Sequence, residues 1–447
     1  MQPNVVIVST ALKPIALPSR PAPVAPPAYA ADRRWDLLMA CLALYIVTAV
    51  GRLHQLVGAL NALHLPLIAA GGAIALYVAS GSQTRHLALV LRQRVTPCVL
   101  ALAVWMACSV PFALWPGGAL QEWTGEFLKA CVMFLILAGA VRGVRDVERL
   151  AFAYLVGVAI YSTVVLSRFQ LTGTDWRLGS LYDYDANEFA TLIAMCLPLA
   201  VYFAFRPGPS WRKAAGLGAG GVLAVAFIWA GSRGGFLALL AVGAYLLFRY
   251  RGVRMGLRIG ATALVALVFV ATASGSFWDK MGTILSPDAD YNVTAESGRV
   301  QVWKRGAGYM FSHPILGVGA GNFPVAEGTI SPVVQEMVLD RGVKWSAAHN
   351  SYLQVGAELG IPGLLVFLLM LGRAFRSLGQ VAERAPPEVA LPAVPLAQAL
   401  TAALIGYAVG AFFLSLAYRD LLYVLLALVA GLHKSVIGRP ALVRWRE

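Results

Sequence analysis

The sequence predicts an all-α polytopic integral membrane protein: about 12 transmembrane helices and one large, partly helical loop on the outer side. Three observations carry this. The composition is 59% hydrophobic and only 13% charged, with a mean hydropathy of +0.69, whereas a soluble domain is about 45–50% apolar and about 25% charged. The apolar residues are gathered into runs approaching the roughly 20 residues that a helix needs to cross a bilayer. The basic residues alternate along the chain in step with those runs.

Residues 1–31 read as a disordered, Pro/Ala-rich cytoplasmic tail. No basic region precedes their short apolar stretch, so they do not read as a cleaved signal peptide. The 12 candidate spans follow, at roughly 35–50, 65–80, 95–115, 127–141, 150–167, 188–205, 214–231, 234–248, 259–274, 359–372, 391–417 and 420–436. Spans 1 to 9 fill 32–274, a large loop with an amphipathic helix occupies 275–350, and spans 10 to 12 with a cytoplasmic C-terminus complete 351–447.

Charge fixes the expected orientation. With the N-terminus inside and the spans alternating, the inner segments collect 24 of the 36 Lys and Arg residues, while the short outer loops hold only Arg52, Arg168, Arg177, Arg233 and Arg419. That bias is the positive-inside pattern. It accounts for most of the net charge of +14 as topology, and it removes the need for a nucleic-acid partner. The five cysteines, Cys41, Cys98, Cys108, Cys131 and Cys196, all fall in apolar runs without metal-type spacing, so neither a disulfide nor a metal is expected.

Two outer segments concentrate polar residues, 168–187 and about 275–350. In the second, "SGRVQVWKRGAGYMFSHP" (297–314) has helical periodicity, with Trp303, Ala307, Met310 and Phe311 on one face and Lys304 and Arg305 on another. Pro314 ends the pattern, and the Gly-rich "ILGVGAGNF" (315–323) follows as a turn region. A helix of this kind beside a bilayer is suited to the membrane surface.

Three basic groups fall at the outer boundary. Arg233, in "WAGSRGGFL", opens a helix in a very tight hairpin; it reads either as a snorkelling residue or as part of an anion site. Arg299, in "AESGRVQVW", opens another helix behind Ser297 and reads either as an ion pair with Glu296 or as a second phosphate ligand. His349, in "SAAHNSYLQVGAELGIPG", precedes a third helix and is able to accept a proton, bind a phosphate or simply sit in solvent. Asn350 and Ser351 suit a helix cap, as do Asp183, Asp185 and Asn187 in "YDYDANEF". Asp185, Asn187 and Asn350 are also candidates for contacting substrate. There is no GxxxxGK[ST] phosphate loop, no HExxH and no cysteine cluster, and the loose paired-Asp patterns assign no metal.

"SRGGFLALL" (232–240), "SGRVQVWKRGAGYMFSHPILGVGAGNF" (297–323) and "HNSYLQVGAELGIPGLLVFLLML" (349–371), with "DANEFATLIAMCLPLA" (185–200) upstream, resemble the O-antigen ligase and polymerase superfamily of bacterial membrane glycosyltransferases. The resemblance covers roughly 180–375. It implies a multi-pass protein of the bacterial inner membrane whose site faces the periplasm. It also implies a donor glycan on undecaprenyl pyrophosphate, an acceptor hydroxyl on a lipid or glycan such as lipid A–core, and no cofactor. Within the superfamily the arginine of the "SRG" motif, the arginine of the "GR" motif and the histidine of "HNSYL" are functional, which corresponds to Arg233, Arg299 and His349. Polysaccharide polymerases and protein O-oligosaccharyltransferases share these motifs. A transporter or flippase, the reading from a different class, is expected to show internal repeats and ionisable groups near the bilayer midplane, and neither stands out here.

Overall fold

The computed structural model describes residues 35–80, 83–168, 177–178, 184–286, 291–295, 298–336 and 345–437. The expected tail at 1–31 lies outside them, as do most of 168–187, Asp183, Glu296 and Ser297. Among the described residues the chain is helical throughout, with no strand. Seven helical stretches are long and apolar enough to cross a membrane, and three shorter apolar helices accompany them.

We number the principal helices in chain order: α1 Leu37–Ala49, α2 Leu65–Ala79, α3 Thr96–Ser109, α4 Leu128–Ala140, α5 Val144–Arg168, α6 Ala186–Phe205 and α7 Ser210–Ala230. The second half holds α8 Arg233–Arg249, α9 Met255–Thr272, α10 Arg299–Ser312, α11 Phe323–Thr329, α12 Ser351–Arg384, α13 Pro387–Gly410 and α14 Asp420–Val436. Each of the 12 apolar segments of the sequence falls on one of these helices; α10 and α11 belong to the long polar region between α9 and α12.

The centre of the bundle is made by α6, α13 and α14. Helix α6 packs on α7, α8 and α13, while α13 also meets α8 and α12, and α14 lies against α4 and α12. Leu421 to Val436 of α14 are all buried. The opposite case is α9, in which no residue is buried although the helix is strongly apolar. An apolar face left uncovered by protein suits contact with lipid tails, because burial against hydrocarbon and burial against a neighbouring helix remove the same area from water.

The end of the bundle away from His349 carries an ion-pair network. Asp146 pairs with Arg142 at 3.3 Å and Arg149 at 3.2 Å, and buried Glu148 takes Arg206 at 2.7 Å and the hydroxyl of Tyr202. These are the arginines that the charge pattern assigns to the inner side.

Helix α12 is continuous in sequence but broken in conformation. Gly360 has φ +71°, and Pro362 follows it. The break frees backbone groups in a largely apolar setting, and each must be paired elsewhere. The Gly-rich segment 314–319 does this: Val318 N–H donates to Ala357 O (2.9 Å), Gly319 N–H to Glu358 O (3.0 Å), and Ile361 N–H to Pro314 O (2.8 Å). The Trp105 indole N–H takes Leu359 O at 2.9 Å. A Cβ at Gly360 would stand 2.3 Å from Ile315 O, and one at Gly317 2.3 Å from the carbonyl carbon of Glu358. Glycine is therefore required by close approach as well as by φ.

Between α9 and α12, α10 and α11 form a compact unit with its own core of Val302, Tyr309, Val318, Phe323, Ala326, Ala348 and Ala357. The buried stripe of α10 is Val302, Gly306 and Tyr309, one residue away from the stripe expected at Trp303, Ala307, Met310 and Phe311. The shift arises because small Gly306 admits Phe323 and Leu353, where a Cβ would come within 3.0 Å of either. Buried Glu327 of α11 ties the unit together: it accepts from the Tyr309 hydroxyl (2.7 Å) and pairs with Arg305 (2.6 Å), which holds the guanidinium pKa above its usual value.

Candidate functional site

The functional residues expected from sequence sit on three separate helix starts, and one short turn gathers those starts. The turn is Ala411–Leu416, which follows α13 with a single 3-10 turn at Ala411–Phe413. The sequence reads this stretch as the end of an apolar span reaching 417, but α13 stops at Gly410. What it contributes is a set of contacts. Gly234, next to Arg233, packs so closely on the Phe413 ring that a Cβ would lie 2.9 Å from it. The Trp303 ring, one turn after Arg299, meets the Phe412 ring edge-on at 5.3 Å. The backbone N–H of His349 donates to Ser415 Oγ at 2.9 Å.

Arg233 is the first residue of α8. Ser232 caps the helix through Gly235 N–H (3.2 Å), and the Arg233 guanidinium donates to Thr283 Oγ1 at 2.6 Å. Its side chain is half-buried. The free N–H groups and dipole at the start of α8 add positive potential beside this cation, which together favour an anion.

Arg299 is the first residue of α10, where the N-cap is Gly298 without a side-chain cap. Trp303 anchors this helix beside His349, since its indole N–H donates to Ala348 O at 3.0 Å. Arg299 is thus about one helical turn from the residue that precedes the histidine.

His349 has φ +47°, in the left-handed region, one of three non-glycine residues with positive φ among the described residues. Such a conformation costs on the order of 1–3 kcal/mol and persists where surrounding bonds over-determine it. Here they do. Asn350 caps α12, accepting from Tyr352 N–H and Leu353 N–H, both at 3.0 Å. Ser351 Oγ donates to Leu414 O (2.6 Å) and accepts from Leu416 N–H (2.8 Å). The Tyr352 hydroxyl donates to Ala408 O at 2.7 Å. Four consecutive residues are clamped, and the imidazole is placed by its backbone.

The remaining residues singled out in the sequence have local partners. Asp185 forms a capping box with Glu188 at the start of α6, and Asn350 is the α12 cap. Asn187 Oδ1 accepts from Arg177 at 3.0 Å. Arg177 itself, given no role by sequence, donates from Nε to Ala230 O at 2.8 Å, one residue before the α7–α8 turn. Burial lowers its pKa, Asp185 opposes that, and the charge of Arg233 adds to the lowering. A third arginine therefore stands in the field of Arg233, and Asn187 orients it. No sequence pattern marks Arg177; the only cue is a lone basic residue in a short outer loop.

Beside the Ala411–Leu416 turn lies a cavity of about 150 Å³ whose walls include Glu122, Gln354, Glu358, Ser415, Tyr418 and Arg419. Glu358, 1% exposed, was readable in the sequence only as part of the α12 start. Among the described residues no group of three or more His, Cys, Asp or Glu side chains is arranged to hold a metal ion.

Seven helical stretches long and apolar enough to cross a membrane, packed with shorter apolar helices, mark an integral membrane protein. Residues 218–368 match the family described as O-antigen ligase, a stretch that includes Arg233, Arg299 and His349. Its members are glycosyltransferase-like membrane enzymes. No curated protein matches the chain.

Proposed function

We propose that the protein is an O-antigen ligase-like glycosyltransferase of a bacterial inner membrane. It moves a glycan from undecaprenyl pyrophosphate to an acceptor hydroxyl, such as one on lipid A–core, at the periplasmic face. In this reading the 12 apolar helices span the bilayer, and 275–350 forms the periplasmic loop. The observation that carries the reading is the convergence on one turn: the helix starts bearing Arg233 and Arg299 and the strap bearing His349 all dock on Ala411–Leu416.

The chemistry follows from that arrangement. The acceptor oxygen attacks the anomeric carbon of the donor sugar. The bond from that carbon to the pyrophosphate oxygen breaks, and its electron pair leaves with the lipid pyrophosphate. The hydroxyl proton passes to His349. Negative charge grows on the departing group, and fixed guanidinium groups placed beforehand stabilise it without reorganisation, each by about 2–4 kcal/mol in the barrier. Proton removal by a positioned base contributes about 100- to 10,000-fold. Arg177 adds positive potential through its proximity to Arg233, Asn187 holds Arg177, and Asp185 and Asn350 fix the helix starts.

A deletion strain complemented with the wild type, Arg233→Ala, Arg299→Ala or His349→Ala tests this. The expected result for all three variants is core lacking long chains, with lipid-linked polymer accumulating. Loss of the polymer itself would make the protein a polymerase of the same superfamily. Wild-type lipopolysaccharide from all three expressed variants would refute the site.

A further inference from the structure

The cavity beside His349 has properties that the pyrophosphate site does not need. Its volume of about 150 Å³ is an order of magnitude beyond the roughly 10–15 Å³ that a single water requires. Three buried polar atoms on its lining residues lack a well-aligned hydrogen bond: Gln354 Oε1, and Glu358 Oε2 and the Tyr418 hydroxyl, which interact with each other. Buried polar atoms without a well-made bond are rare in folded proteins, and several around one space point to a missing polar ligand. Glu358 is held in place through its other oxygen, which accepts from Phe323 N–H at 3.2 Å. Glu122 faces the same space from a π-helical stretch, Glu122–Phe127, a local distortion that recurs at functional sites.

The charge and hydrogen-bond polarity of the lining select the ligand. Arg419 is the single cation of the lining and stands beside two carboxyl groups, so the clustered positive charge that a phosphate or a uronic acid takes is missing. The carboxylate and amide oxygens accept, while the Tyr418 hydroxyl, the Gln354 amide N–H groups and Arg419 donate, so the ligand must both donate and accept. A ring of hydroxyl groups does so. The cavity also adjoins the histidine, since its wall includes Ala347, Ala348 and the Ser415 that bonds His349 N–H.

We propose that this cavity is a subsite for an uncharged, hydroxyl-bearing sugar ring, bound by Glu358, Gln354, Tyr418 and Glu122 beside His349. It rests on the glycan-transfer reading above. The ring belongs either to the donor, next to the pyrophosphate, or to the acceptor.

The test uses the purified full-length protein in detergent, with its thermal unfolding midpoint as readout and methyl glucoside and methyl glucuronide at millimolar concentration as probes. The glucoside raises the midpoint of the wild type and the glucuronide does not. Gln354→Ala and Tyr418→Phe each weaken glucoside binding about three- to tenfold, the loss of one hydrogen bond. Gln354 is only partly buried, so its replacement leaves a folded protein should Tyr418→Phe not fold. Once lipid-linked glycan is bound, a glucoside shift that disappears assigns the ring to the donor, and one that persists assigns it to the acceptor. Absence of any glucoside shift in the wild type, as expected if the cavity holds only water, overturns the proposal, as does an undiminished response in both variants. Stabilisation by undecaprenyl pyrophosphate, lost in Arg233→Ala, reports separately on the parent reading. Failure of that arm with the glucoside response intact would sink glycan transfer and leave the sugar site standing.

Discussion

Two regions adjoin the Ala411–Leu416 turn, and they differ in sign. In one, Arg233, Arg299 and Arg177 present guanidinium groups at helix starts or beside them. In the other, Glu358 and Glu122 line a cavity. The backbone of His349 is pinned to the turn through Ser415, which also lines the cavity. The turn between them is aromatic: the Phe412 ring meets Trp303 and Phe413, each at 5.3 Å. The difference teaches how such a site sorts its ligands. In the reading proposed above, phosphate oxygens are drawn to the arginines and sugar hydroxyls to the cavity, and the scissile sugar–phosphate bond falls at the histidine.

The strongest way to break the comparison is to remove a cation. Arg233→Ala and Arg299→Ala should each lower glycan transfer by about 100- to 1,000-fold at unchanged protein level, measured with lipid-linked glycan in membranes. Next is the tie that holds α10 to α11. Glu327→Ala removes the buried carboxylate that half-buried Arg305 and the Tyr309 hydroxyl share, and should cost about 3 kcal/mol of stability, seen as a lower unfolding midpoint. A smaller effect is expected at Arg177. Arg177→Ala removes one cation from the field of Arg233 and leaves Ala230 O without its donor, so transfer should fall about tenfold. Smallest is Trp303→Phe, which keeps the ring against Phe412 and loses only the bond to Ala348 O. It should cost about 1 kcal/mol, visible as a modest loss of stability with transfer largely retained.

Much of this architecture is legible in the sequence, for physical reasons. Apolar runs announce helices wherever lipid or protein must cover them, so all 12 segments fall on helices. Arg233, Arg299 and His349 stand out because basic groups at the outer boundary go against the charge bias. What is not legible depends on three-dimensional closure. "AFFLSL" (411–416) reads as the tail of a span, yet it is the turn on which three helix starts dock. The break in α12 at Gly360 is hidden by the apolar residues around it, and its need becomes plain only beside the segment 314–319 that accepts and donates across it. Glu122 and Glu358 lie far apart in the chain, each looking like an isolated acid near a helix end. Only packing of α12 against the Gly-rich segment and the loop after α3 brings them to one space, as Leu114 N–H bonding to Val318 O at 3.0 Å shows.

The central claim is that the arginine side, and not the acidic cavity, holds the lipid pyrophosphate. Binding of undecaprenyl pyrophosphate to the purified full-length protein measures it directly, with Arg233→Ala, Arg299→Ala and Glu358→Gln compared with the wild type. The account predicts at least about tenfold weaker binding for each arginine variant and wild-type binding for Glu358→Gln. Arginine variants that bind like the wild type, or a Glu358→Gln variant that alone changes affinity, would contradict it.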